Sequence, residues 1–167
     1  MIFRSSMVGD LMSYPDKDKI PDGAITILDK IISQKLLNWK DAELDCYTLE
    51  KGIRCEADSI ELYNELHDTF YVKNTSRLYS EFLTGECDIL DKKESLVIDI
   101  KTAYSKKTFP LRLKMSKLYE WQLRAYMHLY DVNQAELAYC LVDTPQDLIS
   151  QKDPEHWHIM SDVPLKY

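Results

Sequence analysis

The sequence has 167 residues, of which 45% are hydrophobic and 29% are charged, and this length suits one globular domain with a sizeable core. No apolar run approaches the roughly 18 residues that a membrane helix needs, which argues against a membrane protein. The formal net charge of −7 excludes adhesion to nucleic acid by bulk electrostatics, because that mode needs many cationic phosphate contacts. Any nucleic-acid site must therefore be local.

The N-terminal segment and the cysteines both favour a cytoplasmic protein. Residues 1–19 contain neither a basic leader with a long apolar core nor a small-residue cleavage site. The cysteines lie far apart without a C-x-x-C pair, so the local spacing of a zinc knuckle or an iron–sulfur cluster is missing. We expect one domain over residues 1–167, with all four cysteines reduced: Cys46, Cys55, Cys87 and Cys140.

Three helices are predicted in the N-terminal part of the chain. A short helix over residues 5–13 follows two serines and carries apolar residues at helical spacing. The apolar residues of 22–39 recur with a period near 3.6, which predicts a helix with Asp22 as its N-cap and Trp39 as its end. A third helix is predicted over 49–67, a stretch without proline.

Short segments rich in β-forming residues follow and predict an antiparallel meander. They cover residues 69–74, 77–83, 85–90 and 95–103. An amphipathic helix over 116–131 and a buried strand over 135–143 complete the pattern. This order predicts an α/β or α+β fold with a mixed central β-sheet flanked by helices.

Charged residues interrupt the two most apolar of these segments, in "TGECDILDKKESLVIDIK" at residues 84–101. A two-residue turn at Lys92 and Lys93 would place Asp88 opposite Val97 and Glu86 opposite Asp99. Asp88, Asp99 and Lys101 then share one side of the hairpin, and Glu86 is an alternative ligand.

Charges on a sheet are most often solvated, and that alternative applies here as well. The apolar residues around Asp99 indicate instead that both faces of its strand are buried, where a charge is costly unless it is paired or bound to metal. Two acids and a lysine at one point suit metal-assisted phosphodiester hydrolysis. The carboxylates hold Mg²⁺, and the ammonium stabilises the charge that develops in the transition state.

These motifs resemble the PD-(D/E)XK nucleases, and within them the branch with phage lambda exonuclease, YqaJ-type recombinases and RecB-like nuclease domains. "CD" at residues 87–88 and "DIK" at 99–101 look like the signature acid and the D-x-K tripeptide. "KGIRCEADSIELY" at 51–63 is similar to a helix that supplies a further glutamate, and "QLRAY" at 122–126 matches a Q-x-x-x-Y motif. "FRSSMVGDLM" at 3–12 resembles the opening helix of that branch.

The resemblance implies a restriction-endonuclease-like core and a set of site residues. The implied metal ligands are Glu56, Asp88, Asp99 and the Ile100 carbonyl, with Mg²⁺ or Mn²⁺ as the ion and no iron–sulfur cluster. Lys101 is expected to position the attacking water, Gln122 and Tyr126 to order the substrate and the catalytic groups, and Ser6 to contact a terminal phosphate. The chain stops where relatives often continue, so we expect a truncated or incomplete C-terminus.

A basic stretch follows the predicted metal-binding strand. Between Ala103 and Tyr119 there are five cations and no acid, which is usual for a solvated face but also suits a DNA backbone: Lys106, Lys107, Arg112, Lys114 and Lys117.

The function expected from the resemblance is a metal-dependent deoxyribonuclease, an exonuclease of recombination or repair encoded by a phage or prophage. Its expected location is the cytoplasm of a bacterium or a phage-infected host cell. DNA is the expected partner, beside a single-strand annealing protein, and members of the branch can form rings. The alternatives are an endonuclease or helicase-associated nuclease of the same fold, and a non-catalytic DNA-binding module on a decayed nuclease fold.

Overall fold

The structure is a computed structural model that describes residues 1–13, 18–38, 46–112 and 115–159. Its strands are β1 (Phe3–Arg4), β2 (Leu78–Tyr79), β3 (Leu83–Gly85), β4 (Ile89–Asp91), β5 (Leu96–Thr102) and β6 (Gln134–Cys140). Its helices are α1 (Val8–Leu11), α2 (Asp22–Leu36), α3 (Tyr47–Arg54), α4 (Glu56–His67) and α5 (Lys117–Tyr130). Short 3-10 helices cover Ser5–Met7, Gln146–Leu148 and Glu155–Trp157.

The strand β5 lies at the centre of the larger sheet, whose order is β4-β5-β6. It runs antiparallel to β4 and parallel to β6. Helix α4 packs on the side of Ile98 and Ile100, whereas α5 packs on the side of Val97. Because side chains alternate along a strand, Asp99 and Lys101 share the α5 side with Val97.

A smaller sheet of β1, β3 and β2 connects the N-terminus to α5. Strand β1 pairs parallel with β3, and β2 pairs antiparallel with it. The prediction of a mixed α/β architecture is confirmed, but the strands of the described residues form two mixed sheets instead of one central sheet. The chain leaves one sheet and enters the other between Gly85 and Ile89.

The predicted helices are confirmed with changes at their ends. The stretch predicted as one helix over 49–67 is two helices, because the chain turns at Cys55, between α3 and α4. Asp22 is the first residue of α2 and makes no capping hydrogen bond; the N-cap is Pro21. The predicted end of that helix at Trp39 lies outside the described residues.

The meander prediction is correct for the β4–β5 pair. The segment 77–83, predicted as one strand, contains a turn between β2 and β3, and residues 69–74 form no strand. Asn74 instead fixes this segment, because its backbone N–H donates to the Asp88 carbonyl at 2.7 Å and its side chain donates to the Cys87 carbonyl at 2.9 Å. The segment therefore lies against the residues that precede β4.

Helix α5 has Ser116 as its N-cap, whose hydroxyl accepts a hydrogen bond from the Tyr119 N–H at 3.2 Å. It ends at Asp131, which adopts a left-handed conformation with φ of 52°. Across the described part of the chain, no helix has the length and apolar character needed to cross a membrane.

Candidate active site

The register of the β4–β5 hairpin brings Asp88 and Asp99 together. Asp91 pairs with Leu96 and Ile89 pairs with Ile98, so one further step places Asp88 opposite Asp99. The turn has four residues, 92–95, instead of the predicted two, and the predicted pairing is therefore wrong by two positions. The side of the sheet is nevertheless as predicted, because a shift of two preserves the alternation of a strand.

Burial dominates the electrostatics of this acid pair. Asp99 is only 2% exposed. Burial, together with the neighbouring Asp99, raises the pKa of Asp88 to about 7, although the Ile100 N–H donates to Asp88 Oδ2 at 2.6 Å. Burial also raises the pKa of Asp99, against the opposing effect of Lys101. Ionisation of two neighbouring buried carboxylates is costly, and Lys101 offsets only part of this cost.

Lys101 follows Asp99 by two residues and lies on the same side of β5. Its Nζ is 2.6 Å from Asp99 Oδ2, an ion-pair contact without hydrogen-bond geometry, since Oδ2 has no hydrogen-bond partner among the described residues. The same Nζ lies 5.1 Å from the centroid of the Tyr119 ring on α5. The ammonium thus lies between an acid and an aromatic face, where a cation is stabilised from both sides.

The residues of the Q-x-x-x-Y motif contact this acid pair from α5. Gln122 and Tyr126 are one helical turn apart and both are buried. The Gln122 side-chain N–H₂ donates to Asp99 Oδ1 at 3.3 Å and to the Tyr126 hydroxyl at 3.0 Å. The structure therefore places both residues beside Asp99, and the amide orients its carboxylate directly.

Glu56 is the first residue of α4 and lies at the edge of the same cleft. Its Oε2 is 2.6 Å from Lys73 Nζ, so an ion pair holds the side chain. In the described ranges, no three His, Cys, Asp or Glu side chains lie close enough to hold one metal ion. The sequence did not indicate Lys73, since the segment that carries it was predicted as a strand.

The cleft around these residues has a volume of about 530 Å³. Apolar side chains of α3 and aromatic residues of α5, of β6 and of the loop after β5 line its wall, among them Leu49, Ile53, Tyr104, Tyr119 and Tyr139. Glu86, the alternative ligand, lies 3.3 Å from Arg77 in an ion pair of its own. The register explains this difference, because Asp88 and not Glu86 stands opposite Asp99.

Sequence comparison assigns the chain to a family. A model of the PD-(D/E)XK nuclease superfamily matches residues 26–162. The chain belongs to this superfamily. The resemblance that the motifs predicted is therefore confirmed.

Solved structures of exonucleases share the fold. A phage-related exonuclease from Haemophilus somnus 129PT is similar with a TM-score of 0.83 and 26% sequence identity, over 95% of this chain and 76% of the other. An alkaline exonuclease from Laribacter hongkongensis is similar in fold, with a TM-score of 0.65 and 14% identity over 88% of this chain and 73% of the other. The same enzyme in complex with dAMP gives a TM-score of 0.65 and 15% identity. No curated protein matches the chain.

Within this PD-(D/E)XK site, the acid pair of Asp88 and Asp99 fits a divalent cation, whereas the structure does not bring Glu56 close enough to complete the predicted set of three carboxylates. Carboxylate oxygens are the ligands that Mg²⁺ and Mn²⁺ prefer. The raised pKa values of Asp88 and Asp99 indicate that burial disfavours the ionised carboxylates even though Lys101 lies 2.6 Å from Asp99 Oδ2, and a bound divalent cation would favour ionisation of the pair. Ile100, the fourth predicted ligand, also lines the cleft.

The residues predicted to bind DNA lie outside this set. Ser6 is exposed and is not part of the cleft wall, whereas its neighbour Ser5 is buried and donates to the Thr84 carbonyl at 3.2 Å. The basic stretch starts at the cleft, because Ala103 and Thr108 line it. Whether these residues bind DNA stays a prediction.

The cations of the basic stretch differ in their surroundings. Lys107 Nζ lies 4.7 Å from the centroid of the Trp157 ring, and the Lys106 N–H donates to the Trp157 carbonyl at 2.6 Å. Arg112 is exposed, and Lys117 pairs with Glu120 at 2.8 Å. Lys114 lies outside the described residues. The charge of Lys117 is thus partly compensated by Glu120. The prediction considered only residues 103–119, which contain no acid, and therefore did not include this ion pair.

Proposed function

We propose that this protein is a Mg²⁺- or Mn²⁺-dependent deoxyribonuclease that acts as an exonuclease. The observation that carries the proposal is the convergence of Asp88, Asp99, Lys101 and Gln122 in one cleft. Two carboxylates, an ammonium and an orienting amide suit hydrolysis of a phosphodiester. The Haemophilus somnus protein, a phage-related exonuclease, supports the assignment as an exonuclease at 26% identity.

Each side chain of the cleft has a distinct task in this proposal. Asp88, Asp99 and Glu56 would hold the metal, which when bound polarises the phosphate and acidifies a water molecule. Gln122 holds Asp99 in its orientation, and Tyr126 in turn accepts the second hydrogen bond of that amide. Lys101 places positive charge beside the position where negative charge develops in the transition state.

Lys73 competes with the metal for Glu56, since their side chains form an ion pair. We expect Glu56 to exchange this partner for the cation when the metal binds. The released ammonium would remain at the edge of the cleft, where it can contact a phosphate of the substrate. A Lys73→Gln variant should therefore retain metal binding and bind DNA more weakly.

The discriminating experiment uses three DNAs, namely an end-labelled linear duplex, an internally labelled closed circular duplex and an end-labelled single strand, each with Mg²⁺, with Mn²⁺ and with EDTA. An exonuclease degrades linear DNA, leaves the covalently closed circle intact and stops in EDTA. Cleavage of the circle would favour an endonuclease of the same fold. Binding without cleavage in either metal would instead indicate a non-catalytic DNA-binding module and would refute the proposal.

A further inference from the structure

A lysine on α3 is completely buried and has no task in the chemistry described above. Lys51 is 0% exposed, and its Nζ donates to the Tyr104 carbonyl at 3.0 Å and to the Val142 carbonyl at 2.8 Å. Burial lowers the pKa of Lys51, which Cys55 and Asp143 partly oppose. A buried ammonium is costly, and an apolar residue of similar length would fill the same space without that penalty.

The two carbonyls that Lys51 binds belong to the chain segments that leave the central sheet. Tyr104 follows Lys101 by three residues, just past the end of β5, and Val142 lies just past the end of β6. Lys51 itself precedes Glu56 by five residues, on the helix that ends where α4 begins. One side chain therefore ties the α3–α4 junction to the ends of both strands.

Other contacts join the same partners but could not replace this one. Arg54 forms a two-point ion pair with Asp147, at 2.6 and 3.2 Å, on the exposed side of α3. The Tyr104 carbonyl also accepts hydrogen bonds from Thr144 and from the ring of the buried His158, both at 3.1 Å. Removal of Lys51 would thus take away the buried link, while the loops that it joins would keep contacts of their own.

We propose that Lys51 is a positioning residue for the metal site, which acts by fixing Glu56 relative to Asp99. This inference rests on the proposed function, since it assumes that Glu56 is a metal ligand. Glu56 comes from a helix junction, whereas Asp88 and Asp99 come from one hairpin, so its position depends on how α3 is anchored to the sheet. Contacts that orient ligands typically change metal affinity or activity about 10–100-fold when they are removed.

The test measures Mn²⁺ binding by electron paramagnetic resonance on the full chain without DNA, in a double-mutant cycle. Lys51→Met should raise the dissociation constant for Mn²⁺ about 10–100-fold in the wild-type background. In the Glu56→Gln background the same change should leave the dissociation constant unaltered, because Lys51 acts through Glu56. Val132→Ala, a buried substitution at the opposite end of β6, serves as a control that lowers stability without changing Mn²⁺ affinity.

Two results of the Mn²⁺-binding experiment would overturn the inference. One is unchanged Mn²⁺ affinity of Lys51→Met, and the other is an equal loss of affinity in both backgrounds, which would indicate general loosening of the fold. Amide hydrogen exchange provides a second measurement: exchange at residues 55–60 should rise in Lys51→Met, and unchanged exchange there would also overturn the inference.

Further controls distinguish a loss of folding from a loss of metal affinity, and a failure of the positioning role from a failure of the proposed function. If Lys51→Met does not fold, Lys51→Gln retains an N–H₂ donor group and should raise the dissociation constant for Mn²⁺ less than tenfold, with the same dependence on Glu56. If the wild-type protein neither binds Mn²⁺ nor cleaves DNA, the proposed function itself is refuted. If the wild-type protein is active and the Lys51 variant binds Mn²⁺ with unchanged affinity, only the positioning role is refuted.

Discussion

Asp99 accepts a hydrogen bond from Gln122 at one oxygen and has Lys101 at the other, while Asp88 stands across from it in the hairpin. Such a carboxylate can be replaced by an amide of nearly the same shape. Asp88→Asn removes a buried negative charge, so the metal-free variant should fold at least as stably as the wild type, whereas Asp99→Asn also removes the partner of Lys101 and should lower stability.

Asp88→Asn and Asp99→Asn should each reduce cleavage of linear duplex DNA by about 10³-fold or more, since metal coordination contributes several kcal/mol to transition-state stabilisation. The measurement is the single-turnover rate in saturating Mg²⁺, with the free energy of unfolding as the folding control. Near wild-type rates in either variant would exclude that carboxylate from the site.

The raised pKa of Asp88 predicts how stability depends on pH in EDTA. The pKa of about 7 in the folded protein exceeds the ordinary value of 3.8, so the folded state binds this proton more tightly than the unfolded chain. The free energy of unfolding should therefore fall as pH rises from about 4 to about 7, by up to about 4 kcal/mol from this group. Urea denaturation at several pH values measures this dependence.

The free energy of unfolding of Asp88→Asn should depend less on pH over that interval. In the wild type, Mg²⁺ should restore the stability lost at higher pH, because it binds the ionised acid pair. A variant whose stability follows the wild-type pH curve would show that another group titrates in this range.

The motif residues could be predicted from the sequence, whereas the lysines around them could not. Alternation along a strand and the spacing of Gln122 and Tyr126 on a helix are local features that survive folding. Lys51 and Lys73 lie in the site region because of contacts between distant segments, and a lysine in isolation is usually solvent-exposed. Their positions therefore required the structure.

Among the elements, β3 approaches two neighbours at Gly85 more closely than a side chain would allow. A Cβ atom at this position would lie 2.2 Å from Ser5 Oγ and 2.9 Å from Tyr126 Cε1. The N-terminal 3-10 helix and α5 thus meet over a glycine, and α5 carries both residues of the Q-x-x-x-Y motif.

Gly85→Ala should lower the free energy of unfolding by about 1–3 kcal/mol, because overpacking forces Ser5 and Tyr126 to move. It should also reduce cleavage, as Tyr126 and its partner Gln122 shift from Asp99. Gly52→Ala is the matched control for stability, since nothing lies within 4 Å of a Cβ there and α3 should gain helix propensity. Equal stability of the two variants would contradict the close packing at Gly85.

The hairpin turn shows why the predicted register was wrong. Lys92-Lys93 lacks the glycine or asparagine that a two-residue turn prefers. Asp91 Oδ1 accepts hydrogen bonds from the N–H groups of Lys93 and Glu94 at 2.8 and 3.1 Å, and Ser95 adopts a left-handed φ of 54°. An aspartate before such a stretch is a known turn signal, and it would have favoured the longer turn.

On the scale of the whole molecule, an acidic protein that binds DNA must concentrate its cations where the substrate lies. The basic stretch lies next to the cleft, and Lys107 is held against Trp157. A second groove of about 800 Å³ contains three further lysines, Lys73, Lys92 and Lys93. Replacing lysines by glutamine on one surface at a time shows which of the two surfaces binds DNA.

Lys106→Gln with Lys107→Gln should weaken DNA binding and reduce the slope of log affinity against log salt by roughly 0.7–0.9 for each phosphate that the protein no longer neutralises. The rate at saturating DNA should change little, because these lysines bind the backbone equally in the ground state and the transition state. Fluorescence anisotropy over a range of salt concentrations is the measurement. Lys35→Gln with Lys152→Gln, which changes net charge equally at two exposed positions, is the control.

A different result is that the Lys106 and Lys107 double variant binds DNA with the same affinity and salt slope as the control double variant. If Lys92→Gln with Lys93→Gln lowers the salt slope instead, the DNA path runs along the second groove. The path predicted from the basic stretch would then be wrong, although the acid pair and its chemistry would be unaffected.

The four-residue turn between β4 and β5 also limits how many residues can be inserted into this hairpin while Asp88 and Asp99 stay on the same side of the sheet. If the turn keeps its four residues, inserting one residue between Lys92 and Lys93 shifts the register by one and turns the Asp88 side chain to the α4 side of the sheet, whereas a longer turn or a bulge would absorb the extra residue. Inserting two residues would leave both acids on the α5 side. Natural variation of the turn should therefore occur in steps of two, and a one-glycine insertion should eliminate cleavage that a two-glycine insertion preserves.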